Sequence, residues 1–183
     1  MLEDQETWFF WLRKNHATSS GVWLRIARKS AKVKSVSYLQ AVDTALCFGW
    51  IDGQKKSDDR SYWLQRFTPR SGKSIWSKIN REKAIRLIEL GQMNAAGLRE
   101  VARAKRDGRW DGAYDSPSGA TIPADFQAAL RKSARARAFF ATLDSRNRYS
   151  VLFRIQTAKK AETRARRIRQ FAEMLSRHEK IHP

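Results

Sequence analysis

Between Cys47 and Asn80 the chain reads CFGWIDGQKKSDDRSYWLQRFTPRSGKSIWSKIN, and no other stretch limits the possible folds as much. Beyond Gly49, the segments WIDGQKK and SYWLQRFTP flank the polar turn Ser57, Asp58, Asp59 and predict a hairpin whose register the sequence leaves open. Earlier, VWLRIARK alternates Val22, Leu24 and Ile26 with Trp23, Arg25 and Ala27, the two-residue period of a half-buried strand. Three short strands, near residues 22–29, 50–56 and 61–68, make a sheet too small to stand alone, so helices must cover it. The expected class is therefore α+β: a small antiparallel sheet covered by helices, followed by a helical C-terminal half.

Helical signals surround these strands. Residues 3–15 place Trp8, Trp11 and Leu12 on one face, with acids early and Arg13 and Lys14 late, as the helix dipole favours. Ser37 is suited to cap YLQAVDTALCF, and either Ser77 or Asn80 to cap REKAIRLIEL, which should end at Gly91 in the left-handed position. Asn94 is suited to cap AAGLREVARAKRDG. The Gly-, Pro- and Ser-bearing stretch 108–122 reads as a linker between an α+β region, 1–107, and a helical module, 123–183, the two expected to pack as one unit. In that module Pro123 and Asp125 start a helix, AFFATL belongs to another, and Ala161, Ala165, Ile168, Ala172 and Leu175 make one apolar seam.

Composition sets the kind of partner. A formal charge of +19 spreads over both halves of the chain and steers polyanions toward it. The single cysteine, Cys47, excludes an internal disulfide, and its apolar neighbours suggest a buried structural thiol. The apolar run Trp8–Leu12 is too short for a signal sequence or a membrane span, which leads to the expectation of a cytoplasmic protein without direct membrane insertion.

The candidate ligand-binding residues cluster in the opening stretch: Trp50, Asp52, Arg66, Thr68, Arg70, Lys73, Ser74, Trp76, Ser77, Lys78 and Asn80, joined by Lys159, Lys160 and Arg164 on the last helix. They supply donors and flat rings for an anionic or aromatic guest, with no nucleophile and base side by side. A symmetric hairpin would set Asp52 near Arg66. Phe67–Ser74, FTPRSGKS, superficially resembles a phosphate loop, but Phe67 stands where glycine is needed and Pro69 lacks an N–H. A humbler anion site at the following helix start is the alternative. His16, His178 and His182 lack companion ligands, so no metal is expected, and no cofactor. Three readings remain: a non-enzymatic protein binding an anionic partner such as nucleic acid, an enzyme or receptor clamping a small anionic ligand in a pocket that joins Asp52 to Arg66, Ser74 and Ser77, or a scaffold whose partner is an acidic protein surface.

The ordered motifs ALCFGWIDG, YWLQRFTPR, SIWSKIN, GRWDGAYDSPS and RIQTAKKAETRARRI resemble those of the bacterial YdeI/OmpD-associated, or bacteriocin-protection, family, from about Trp8 to Pro183. The resemblance implies a small cytoplasmic protein tied to tolerance of bacteriocins or cationic antimicrobial peptides, with no established catalysis or cofactor. Ala161 stands where that family usually has proline, which leaves the preceding helix free to run on. The charge of +19 disfavours direct capture of a cationic peptide.

Overall fold

The computed structural model describes residues 4–31 and 33–183. In chain order the elements are α1 (Gln5–Asn15), β1 (Val22–Ala27), α2 (Tyr38–Cys47), β2 (Trp50–Ser57), β3 (Tyr62–Pro69), α3 (Lys78–Glu89), α4 (Ala95–Arg106), α5 (Ala124–Arg131), α6 (Ala134–Thr142), α7 (Ser145–Gln156) and α8 (Ala161–Ser176). The class is α+β with a helical C-terminal half, as expected. Glu3, the first residue of the expected first helix, lies outside the described residues.

Local chemistry explains the boundaries. Asp4 accepts from the backbone N–H of Thr7, and Ser37 and Gln40 form a reciprocal capping box at the start of α2. Gly91 ends α3 at φ +67, with its N–H donated to Ile88 and that of Gln92 to Leu87, a Schellman closure. α3 starts at Lys78, earlier than REKAIRLIEL suggested, so Ser77 precedes the helix and Asn80 lies in its first turn. α7 stops at Gln156 and does not run on toward Ala161, where α8 begins.

The strands form an antiparallel sheet in the order β1-β3-β2. Its inner face carries Leu24, Ile26, Trp50, Gln65 and Phe67, all buried. α1 and α2 supply the matching apolar surface through Trp8, Leu12, Ala41 and Leu46. Trp8 lies 5.5 Å from Phe67 between ring centroids, and its indole N–H donates to the Ala41 carbonyl at 3.1 Å.

The chain divides into two compact units, one comprising Met1–Trp76 and Asn80–Asp111, the other Ser77–Ile79 and Gly112–Pro183. Within the stretch read as a linker, Arg109 and Trp110 are buried and belong to the first unit. The second unit is built on Phe126, Leu130, Phe140, Val151, Ile155 and Leu175, contributed by α5 to α8. No helix among the described residues is long and apolar enough to cross a membrane.

Candidate functional site

Strand pairing determines which side chains share a surface. Trp23 lies opposite Arg66, Arg25 opposite Leu64, and Ala27 opposite Tyr62. Thr68 lies opposite Ile51, and Lys56 opposite Leu64. Because neighbours along a strand point to opposite faces, these residues form the outer face of the sheet. Lys56 is exposed there and the others are half-buried.

Flat rings and cations interleave on this outer face. The Lys56 ammonium sits 4.6 Å from the Trp23 ring centroid, and the Arg66 guanidinium carbon 5.7 Å from the same ring. Arg25 lies 3.9 Å over Tyr62 and is also bound to Asp58 and Asp59 in the turn. Asp59 accepts the N–H groups of Ser61 and Tyr62, and these bonds, aided by Arg25, hold its carboxyl below the usual range. Arg25 is thus compensated, whereas Lys56 and Arg66 have no acidic partner among the described residues.

A bulge between Asp52 and Lys55 decides which lysine reaches this surface. With a regular ladder continued from Asp52 opposite Phe67, Lys55 would face Leu64 on the outer side. The extra residue places Lys55 opposite Gln65 and Lys56 opposite Leu64. Buried Gln65 secures the irregularity by donating its amide to the carbonyls of Gly53, Gln54 and Arg66 at 3.0 to 3.2 Å. Lys55 is left on the inner rim, 4.2 Å from the Trp63 ring.

Asp52 and Arg66, expected as neighbours, lie on opposite faces. The register sets Asp52 against Phe67, a one-residue difference that reverses sidedness. The Asp52 carboxylate accepts the Tyr38 hydroxyl at 2.7 Å. The Asp52–Arg66 pair on which the expected pocket depends is therefore not formed.

Two expected ring platforms are core. Trp50 and Trp76 are each 1% exposed. Trp50 packs edge-on against Trp8 and Trp11, and Trp76 against Trp110 at 4.9 Å. Arg70 is also buried, its guanidinium carbon 3.6 Å from the Trp76 centroid and one nitrogen donating to Ile75 O. None of the three offers a surface to a guest, because this unit uses its large rings and their cation as filling.

The Ser71–Ser74 turn has its own N–H groups engaged: Ser71 N–H donates to the Ser74 hydroxyl, Lys73 N–H to the Ser71 hydroxyl, and Ser74 N–H to Ser71 O. From inside the loop, Arg109 donates to the carbonyls of Ser71 and Ser74 while Asp107 holds its other nitrogens. A turn closed in this way has no ring of free N–H groups to wrap a phosphate. Lys73 remains exposed at its tip.

The remaining candidates other than Asn80 belong to the second unit. Lys78 is paired with Asp115, and its N–H donates to Tyr114 O, which occupies the helix start proposed as an anion site. Ser77 bridges Tyr114. Arg164 forks onto both oxygens of Asp125 at 2.6 and 3.0 Å and donates to Ile155 O. Lys159 and Lys160 are exposed in the turn before α8. Of the proposed set, the structure brings only Arg66 and Thr68 onto the open sheet face. Sequence reasoning missed Trp23, Lys56 and Tyr62, although the alternation of VWLRIARK already separated Trp23 from the buried side.

Cys47 is buried, and burial, reinforced by the charge of Asp43, pushes its thiol up to about 11. Such a thiol stays protonated near neutrality. No group of three or more His, Cys, Asp or Glu among the described residues is placed to hold a metal ion.

Two family models match the chain. Residues 1–100 match a domain of unknown function, DUF8412, and residues 119–178 match the family described as Bacteriocin-protection, YdeI or OmpD-Associated. The resemblance anticipated from about Trp8 to Pro183 is thus carried by the C-terminal part of the chain. This match points to a bacteriocin-protection-like role. No curated protein and no solved structure matches.

Proposed function

From the premise that this chain belongs to the DUF8412 family, whose description names no activity, we propose a function drawn from geometry: the outer sheet face binds single-stranded nucleic acid. The observation that carries the proposal is the meeting of Trp23, Lys56 and Arg66 on one uncovered face, beside Tyr62. Aromatic rings stack on any base, and the two uncompensated cations suit the phosphates that link those bases. The +19 charge draws such a strand in. Binding of this kind requires no cofactor and no chemical step. Acting without catalysis in the cytoplasm, the protein would contribute to stress or antimicrobial-peptide tolerance through its anionic partner and not by capturing cationic peptides.

Anisotropy of a fluorescein-labelled oligo-dT of about twelve nucleotides, titrated with the full chain at several salt concentrations, tests the reading. Affinity should fall steeply with salt. Trp23→Ala should weaken binding roughly ten- to hundredfold, and Arg66→Gln should lower the salt slope by about one. Absence of binding at low salt, or binding indifferent to both substitutions, refutes it. For the physiological role, a strain lacking the gene should become more sensitive to a bacteriocin, and the Trp23→Ala gene should fail to restore tolerance.

A further inference from the structure

The apolar seam read on the last helix is covered over only part of its length. Ile168 and Leu175 are buried in the second unit, whereas Ala161 and Ala165 are exposed and Ala172 is half-buried. α5 adds the half-buried Ala128 and Ala129, and the two helices enclose a trough of about 700 Å³.

The shape of this trough selects its occupant. Ala161, Ala165 and Ala172, spaced four and seven residues apart on one face of α8, leave holes between turns that accept leucine-sized knobs from another helix. The floor runs from Ala161 to Ser176, about 22 Å along α8 at 1.5 Å per residue, which a helix of about 15 residues would cover. An α-helix seated by one apolar stripe matches an open trough with polar rims on both sides.

The rims set the charge. Asp125 is tied to Arg164, and Glu173 to Arg177. Lys132 and Arg169 are exposed and have no acidic partner among the described residues. The uncompensated charge at the trough is therefore positive.

We propose that the α5–α8 trough is a docking site for the apolar stripe of an acidic amphipathic helix from a partner protein. This surface belongs to the second unit, and the sheet face to the first.

Two fluorescein-labelled synthetic peptides of about 15 residues test it, sharing one leucine stripe and bearing either Glu or Lys on the polar face. Titrated with the full chain, the Glu peptide should bind about tenfold more tightly than the Lys peptide. The double variant Lys132→Glu, Arg169→Glu should reverse that order. Both positions are exposed, and circular dichroism would confirm an unchanged fold. Ala165→Trp should fill the trough and weaken the Glu peptide about tenfold while leaving oligo-dT binding intact. The proposal is overturned if both peptides bind equally, if Ala165→Trp leaves peptide affinity unchanged, or if oligo-dT displaces the Glu peptide, since each outcome would indicate generic attraction to a basic surface.

Discussion

The buried amide of Gln65 donates to the main-chain carbonyl of Gly53 at 3.0 Å, fixing a strand irregularity from inside the sheet. Since Gln65 also bonds Gln54 O and Arg66 O, one side chain holds both strands at the point where sidedness switches. It is the positioning residue for Lys56.

Replacing it should therefore have two effects. Gln65→Leu keeps the volume but leaves the carbonyls of Gly53 and Gln54 without their side-chain donor, a loss of about 1–3 kcal/mol. Urea denaturation would measure it. The same variant should bind oligo-dT more weakly under conditions where it remains folded, because Lys56 is no longer held beside Trp23. A variant as stable as the parent would show that the amide is dispensable.

Gly97 should resist a substitution that helices usually welcome. In an exposed helix interior, glycine to alanine gains about 1 kcal/mol. Here a Cβ would stand 2.5 Å from Cys47 O and 2.8 Å from Leu46 O, both backbone atoms at the end of α2. The α4 backbone must back away, so Gly97→Ala should lower stability by about 1–3 kcal/mol, read from thermal unfolding. An unchanged or raised Tm contradicts this contact.

Cys47 provides a reporter of alkaline stability. Its thiol is raised in the folded state to about 11 from an ordinary 9.0. The unfolded chain therefore loses this proton first, and stability should be complete below the ordinary value and decline as pH rises from there toward 11. Near neutrality, a disulfide reagent should modify the native protein slowly and the urea-unfolded protein rapidly. Equal rates would contradict burial of the thiol.

The acid limb has the opposite sign. Asp125 is held low chiefly by Arg164, and Asp144 by the Asn147 N–H and side chain. Groups depressed on folding stabilise above their ordinary value and lose that contribution as pH falls through their folded values. The Tm should be level near neutrality and fall below about pH 4, and Asp125→Asn should remove part of the slope. An acid limb identical in the variant would place the effect elsewhere.

Much of the scaffold was legible in the sequence because its signals are local. Ser37, Asn94 and Gly91 mark helix ends by side-chain and backbone chemistry that acts within five residues. The alternation in β1 likewise reports one strand's two sides. Sidedness across the hairpin was not legible, since it depends on a bulge held by Gln65, a polar residue with no periodic signature. Nor could the sequence distinguish Arg70 and Arg109, which are buried in the first unit, from Arg66, which faces outward, because their surroundings come from chain segments distant in sequence. The seam on α8 was legible only as a spacing: Ile168 and Leu175 are buried, whereas Ala161 and Ala165 are exposed, and that difference comes from segments distant in sequence.

Arg164 and Arg167 reach back from α8 to the carbonyls of Ile155 and Arg154, in the last turn of the preceding helix. Two helices interrupted by a turn are thus stitched together by side chains across the interruption. A protease cutting between the exposed Lys159 and Lys160 should therefore sever the chain without parting the helices.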